Sequence, residues 1–258
     1  MPYLMTHKGK LYDLDDAFEF LMGYQVIFVG EEHESRVSHS AELTLLKGLS
    51  ELDPKLVLAL EMFERDVQDS LDTYLKGKIS EKTFLKQSRP WPNYLEDYRP
   101  LIEFAKKKGI PVIAANVPRR AAASVAMANE VSSDVMGEDR IYLPKYLHLK
   151  SKEYYKRFIS STEAMPHSTP MKGMNVDGLY KAQVLKDAVM AESVDPFLDR
   201  RILFCCGHFH SDYHLGIPYQ LQKNHPKLKT AVIAMASSVD PLPMKDRSRV
   251  ADFIWVVE

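Results

Sequence analysis

The sequence predicts an α/β protein with a parallel-rich central sheet flanked by helices. Two observations carry this expectation. Six short apolar runs, near 26–29, 56–60, 111–115, 202–206, 230–235 and 253–257, are separated by spacers, several with helical periodicity. Such alternation yields a parallel sheet with helices on its faces. Two of the runs also end in the same form, Gly-x-x-His: Gly30-Glu31-Glu32-His33 and Gly207-His208-Phe209-His210. In open α/β sheets, sites form at the carboxyl ends of strands, so these endings predict one site built from both ends of the chain.

The elements follow in order. Asp15 to Met22 reads as a short amphipathic helix stopped by Gly23, and a strand covers 25–30. Ala41, Leu45, Leu46 and Leu49 mark a helix over 38–49, which Asp53-Pro54 breaks. Leu56 to Leu60 is a second strand ending at Glu61, and a polar helical stretch runs from about 64 to 87. Arg89 to Asn93 is a break. Pro100 opens a helix over 101–108, stopped by Gly109, and Pro111 to Ala115 is a third strand ending at Asn116. Arg119 to Glu130 is an alanine-rich helix. From 131 to about 178 the pattern dissolves into a largely helical and irregular insertion, of the kind that forms lids and binding regions. Helices over 179–194 and 218–223 and strands over 202–207, 230–235 and 253–257 complete a single domain spanning 1–258. The repeated strand–Gly-x-x-His form leaves an internal duplication open.

Composition narrows the function classes. Lys and Arg number 34 against 35 Asp and Glu, so no field of one sign favours nucleic acid or an anionic membrane. Cys205 and Cys206 are the only cysteines, adjacent and in an apolar strand; buried, inert thiols are expected. No window is a transmembrane span. The opening Met1 to Met5 has no basic n-region, apolar h-region or lipobox, so a cytoplasmic protein is expected; a removed leader would place it in the cell envelope.

The strand endings concentrate candidate chemistry. Glu31 and His33 suit a borderline metal or acid–base work, whereas Glu32 and Glu34 suit the dipole of a first helical turn. Glu61, straight after five apolar residues, must be solvated, paired or coordinating. Asn116 is expected to cap the next helix, Arg119 to hold a carboxylate or anionic ligand, and Arg120 to be solvated. His208, His210 and His214 put three of nine histidines within seven residues, which points to metal, acid–base partners or an anion. The divalent metal set read here is Glu31, His33, Glu61 and His210. Trp91, Tyr94 and Tyr98 form either helix packing or an aromatic wall for a flat ligand, and a tyrosinate can ligate ferric haem. His148, Met165, His167 and Met174 are unspecific soft donors. No G-x-S-x-G serine nucleophile motif is present.

Val-Gly-Glu-Glu-His at 29–33, Leu-Glu-Met at 60–62, Tyr98-Arg99-Pro100, Ala-Asn-Val-Pro-Arg at 115–119, Ala182-Gln183 with Asp187 and Met190-Ala191, and Gly-His-Phe-His to Gly-Ile-Pro at 207–218 follow one another in a fixed order. In this the chain resembles the ChaN-like haem-binding proteins of the Tiki and erythromycin-esterase-like superfamily, from about residue 10 onward. The resemblance implies a cleft at the carboxyl edge of the sheet formed by Glu31, His33, Glu61 and His208 or His210. It implies haem as cofactor, a role in haem or iron acquisition or handling, and a homodimer with two haems face to face between subunits. Tyr98 or Tyr213 is the implied iron ligand, with Arg119 and His214 near the cofactor. The alternative is a hydrolase of ester or peptide bonds, with Glu31, His33, Glu61, His208 and His210 activating water directly or through a divalent metal. A scaffold that keeps the superfamily site unused is the third reading.

Overall fold

The computed structural model describes residues 3–7, 9–163, 175–236 and 244–257. Strands β1 (Tyr3–His7), β2 (Lys10–Tyr12), β3 (Val26–Glu31), β4 (Val57–Glu64), β5 (Val112–Asn116), β6 (Ile202–Gly207), β7 (Thr230–Met235) and β8 (Phe253–Val257) form one sheet. Their order is β2-β1-β8-β7-β3-β6-β4-β5. The six strands from β8 to β5 run parallel. The β1–β2 hairpin adds to β8 in antiparallel fashion. The sequence reading did not anticipate this hairpin, whose strands span only five and three residues.

Helices α1 (Leu14–Leu21), α2 (Arg36–Leu52), α3 (Gln68–Leu75), α4 (Glu81–Ser88), α5 (Arg99–Lys108), α6 (Arg119–Ala128), α7 (Ser133–Met136), α8 (Lys152–Glu163), α9 (Val176–Ser193) and α10 (Ile217–Asn224) pack around the sheet. Local chemistry sets their starts. The Ser35 hydroxyl accepts from the Ser38 N–H to cap α2, and the Asn175 side chain accepts from Asp177 and Gly178 to cap α9. No helix among the described residues is long and apolar enough to cross a membrane.

The period-2 alternation of the strands builds two cores, one on each face. Ile27, Val29, Leu58, Leu60, Leu203 and Cys205 face α2 and α5. Val26, Phe28, Val57, Ala59, Ile202, Phe204 and Cys206 face α9 and α10. Each fully buried aliphatic side chain contributes about 1.5–3 kcal/mol. Both cysteines are free and buried, and burial pushes their thiols well up.

Two departures from the sequence reading shape the site. β4 does not stop at Glu61 but runs to Glu64, and its register with β5 jumps between Leu60–Ala114 and Glu64–Asn116. Glu61 sits in this irregular stretch, where extra residues re-aim side chains. Within the segment read as an insertion, the described part holds α7, a 3-10 turn over Gly137–Tyr142 and α8. Met165, His167 and Met174 lie outside the described residues. His148 is bonded to Asn224 at 2.9 Å.

Candidate functional site

The two Gly-x-x-His endings are neighbours in space. β3 and β6 pair in register, Gly30 with Cys206 and Glu31 with Gly207. The need for glycine is reciprocal. A Cβ on Gly207 would meet His33 Cε1 at 2.6 Å, and one on Gly30 would meet Ser211 Oγ at 2.7 Å and His208 Cα at 3.0 Å. Each glycine makes room for the histidine segment of the other unit.

Beneath this edge, the sheet carries a buried carboxylate–histidine cluster on each face. On the α2 face, Glu31 Oε1 accepts from the Tyr98 hydroxyl at 2.7 Å and lies 2.6 Å from His33 Nδ1. Glu31 Oε2 lies 3.2 Å from His39 Nδ1, and Glu42 Oε2 lies 3.6 Å from the same nitrogen. Burial alone would raise the Glu31 carboxyl, but His33 and His39 hold it at about 2. Burial opposes charge on His39, yet Glu31 and Glu42 lift its pKa to about 10. Glu42 is fully buried, and burial followed by the Glu31 charge pushes its carboxyl well up. His39 and Glu42 escaped the sequence reading. The available signal was Glu42 itself, an acid three residues before Leu45 on the apolar stripe of α2.

On the α9 face, His210 is clamped between two carboxylates. Its Nε2 lies 3.2 Å from Glu61 Oε1, and its Nδ1 lies 2.5 Å from Asp187 Oδ1. The Tyr154 hydroxyl donates to Asp187 Oδ2 at 2.7 Å. Glu61 Oε2 accepts the Gly207 N–H at 2.7 Å. Burial would raise Glu61, but His210, His33 and that N–H bring it down to about 2. Burial disfavours the imidazolium, but Glu61 and Asp187 hold His210 at about 10. Burial also raises Asp187. Asp187 entered the sequence reading only through the resemblance, and Tyr154 had no role assigned there.

His33 links the two faces. Nearly half of its side chain is exposed, and it lies against Gly207 beside Glu61. Burial of the rest of the ring favours the neutral form, but Glu31 and Glu61 raise its pKa above the usual value. Trp91 packs edge-on against it, with centroids 4.8 Å apart. The structure thus brings Glu31, His33, Glu61 and His210 together around the β3–β6 edge. Among the described residues, however, the donor atoms that converge tightly enough for one ion are those of Glu31, His39 and Glu42.

The remaining sequence candidates separate. His208 turns away from the clamp and bonds Asp212 at 2.9 Å, and Asp212 in turn bonds Arg157 at 2.9 Å. His214 is exposed and lies 3.5 Å from Asp252. Tyr98 and Tyr94 are buried, so packing describes them and an open aromatic wall does not; Tyr98 comes from a π-helical turn over Tyr94–Tyr98. Burial and then the Glu31 charge push the Tyr98 phenol far up, so its oxygen is spent as a donor to Glu31. Tyr213 is exposed, at φ +60°, with the Arg157 guanidinium 5.0 Å from its ring centroid. Asn116 does not cap α6: its amide donates to Glu61 O, and its oxygen accepts the Val117 N–H. Arg120 is not a free solvated side chain but bridges Asp66 at 2.8 Å and Asp139 at 2.6 Å. Arg119 is exposed and lines a cavity of about 580 Å³ with Glu64, Arg89, Trp91 and Arg120. The larger cavity, about 690 Å³, follows the outer edge of β5 and holds none of the strand-end groups.

Comparison with known proteins agrees with this architecture. The fold is similar to that of a Campylobacter jejuni ChaN structure described as binding haem cofacially, with TM-score 0.77, 18% identity, and coverage of 100% of this chain and 97% of that one. It is also similar to a mutant of the erythromycin esterase EreC in its open conformation, with TM-score 0.52, 13% identity, and coverage of 91% and 77%. In sequence it is 23% identical over 94% of its length to Protein RETICULATA-RELATED 5, chloroplastic, of Arabidopsis thaliana, and it spans 35% of that protein. Residues 17–221 match the family described as haem-binding uptake, Tiki superfamily, ChaN, and the chain belongs to that family.

Proposed function

We propose that this chain binds haem at the carboxyl edge of the sheet, with Tyr213 as the iron ligand, and serves haem or iron handling. The observation that carries the reading is Tyr213 itself, in a chain of a haem-binding family. Its phenol is exposed, and Tyr213 and His214 both hold left-handed backbone at φ +60° and +57°. Two consecutive non-glycine residues in that region store strain, which structures retain where a side chain must be presented. A tyrosinate oxygen is an established ligand of ferric haem. The Arg157 guanidinium packs on the Tyr213 ring and bonds Asp212, and Asp212 holds His208, so phenol, imidazole and guanidinium form one fixed unit after β6.

The rim continues from His208 past Gly207 and His33 to Trp91, whose cavity Arg119 also lines. Arg119 makes no ion pair among the described residues, which leaves a cation for a porphyrin carboxylate. Tyr98 supports Glu31 from below and is not a ligand. Two haem-loaded chains then pair through this exposed rim, which would set their haems face to face; cofacial haem binding is what is described for the Campylobacter protein.

Hemin titration followed at the Soret band tests the reading. Wild type should saturate, Tyr213→Phe should bind at least tenfold more weakly with an altered ferric spectrum, and Tyr98→Phe should keep the wild-type spectrum. Absence of a saturable change in wild type overturns it. Sedimentation with and without hemin tests the pairing.

A second reading, hydrolysis, rests on His33. Its Nδ1 lies on Glu31 while its Cε1–Nε2 edge lies over Gly207 beside Glu61, the orientation of a general base. Activity against an ester and peptide panel that is unchanged by His33→Ala removes it.

A further inference from the structure

The two buried clusters contain the same kinds of group but differ in one respect. On the α9 face the facing atoms all have partners: both His210 nitrogens meet carboxylates, Asp187 Oδ2 accepts from Tyr154, and Glu61 Oε2 accepts from Gly207. On the α2 face the match is incomplete. Glu31 Oε2 and His39 Nδ1 face each other as an ion pair at 3.2 Å without a well-aligned hydrogen bond, and among the described residues both oxygens of Glu42 are buried with no hydrogen-bond partner. A fully buried carboxyl with two unpaired oxygens is among the costlier arrangements a protein core can hold. One donor atom from each of Glu31, His39 and Glu42 lies within 4.8 Å of those of the other two.

We propose that Glu31, His39 and Glu42 form a buried site for one first-row divalent transition cation, beneath the haem rim, that loads without haem. The histidine is set up for ligation. Its Nε2 lies 3.2 Å from the His33 carbonyl and 3.5 Å from Asp97 Oδ2, acceptors that draw a proton to that nitrogen. A histidine held through one ring nitrogen by a carbonyl or carboxylate presents the lone pair of the other to a metal. Nδ1 faces Glu31 Oε2 at 3.2 Å and Glu42 Oε2 at 3.6 Å. Donors bound at roughly 2.0–2.2 Å to one ion lie at about such separations from one another. His39 and Glu42 sit one helical turn apart on α2, and Glu31 ends β3, so rigid elements fix all three. Mixed imidazole and carboxylate donors select zinc, manganese or ferrous iron over calcium and magnesium, which take oxygen-rich, hydrated sites. Loading displaces the protons that Glu42 and His39 carry in the metal-free cluster, after which two carboxylates match the charge of one dication.

The test uses hemin-free full-length protein, stripped with a chelator and reloaded with Zn²⁺ or Mn²⁺. Metal analysis after desalting should find one equivalent per chain, with a higher melting temperature than the stripped form. Glu42→Gln, nearly isosteric, should lower affinity at least a hundredfold and abolish the metal-dependent rise in melting temperature. His39→Gln provides a second test of the site. His210→Gln, on the other face, should keep the equivalent of metal, and Tyr213→Phe should lose hemin affinity while keeping it. Failure of wild type to retain either metal, or retention of full affinity by Glu42→Gln and His39→Gln, overturns the proposal.

Discussion

Gly207→Ala isolates the contact between the two Gly-x-x-His units. The backbone there, φ −57° and ψ 138°, is open to any L residue, so alanine brings no backbone strain. What it brings is a methyl group 2.6 Å from His33 Cε1 and 2.8 Å from Nε2. Ordinary contact requires about 3.4 Å or more, so the ring must retreat by roughly 0.8 Å. His33 is exposed enough to swing outward, and the fold should survive. The same retreat stretches the 2.6 Å contact with Glu31 past useful hydrogen-bond length. Losing a hydrogen bond to a charged group costs about 1.5–3 kcal/mol. For a chain of this size that corresponds to a melting temperature lower by roughly 3–10 °C. Glu31 and Glu61 are what raise the His33 pKa, so the variant's His33, followed by its Cε1 proton in an NMR titration, should titrate closer to an ordinary histidine. An unchanged His33 titration with an unchanged melting temperature would refute the claim that Gly207 exists to seat that ring.

Gly30→Ala should be worse, because its methyl meets His208 Cα at 3.0 Å and backbone cannot retreat as a side chain does; overpacking of this kind costs about 1–3 kcal/mol, and calorimetry should show a loss of stability without the recovery that ring movement allows. The Glu61–His210 pair predicts a pH-dependent stability. Glu61 falls from 4.5 to about 2 on folding, so its contribution is complete above pH 4.5 and disappears as pH falls toward 2; at 1.36 kcal/mol per unit this is about 3 kcal/mol. His210 rises from 6.5 to about 10, so the same pair is intact below pH 6.5 and weakens as pH climbs toward 10. Denaturant midpoints should therefore be highest between these limits, and Glu61→Gln should flatten the acid limb; an acid limb that keeps its slope in that variant contradicts the assignment. Arg120→Ala releases Asp139 and Asp66; because the arginine is more than half exposed, the loss should be only about 0.2–1 kcal/mol. Faster proteolysis near Gly137–Tyr142 would register it, and an unchanged cleavage rate would show that the bridge does not hold this turn in place.

The sheet was legible because its central strands are buried on both faces and read as continuous apolar runs. The β1–β2 hairpin was not, since β2 is the edge and spans only Lys10–Tyr12. Glu31, His33, Glu61 and His210 were visible for the converse reason: polar residues where an apolar run stops must have a destination. Glu42 was hidden by a reading that counted only the apolar members of the α2 stripe. Asp187 was harder still. α9 is buried on nearly all sides, and such a helix offers no polar face against which a misplaced acid would stand out. The Asn116 reading failed because it took a residue near a helix start to serve that helix, and the Arg120 reading because it gave the side chain no partner but solvent. Asn116 instead ties the β4 and β5 ends together, and Arg120 ties α6 to the turn after α7.

The two clusters are related by more than composition. Each joins a glutamate at the carboxyl edge, a buried histidine, a carboxylate on a helix of that face and a tyrosine hydroxyl: Glu31, His39, Glu42 and Tyr98 on one side, Glu61, His210, Asp187 and Tyr154 on the other. Strand alternation explains the division, since side chains entering from adjacent strands must take one face or the other. It also explains why His33 is the exposed member. It sits past the end of β3, where neither face claims it, and receives Glu31 from one layer and the field of Glu61 from the other. A change in charge in either buried layer is therefore felt at this one accessible imidazole. Neutralising Glu31 or Glu61 singly should each lower its pKa, while Glu42→Gln, which removes no contact made by His33, should act on it only through Glu31.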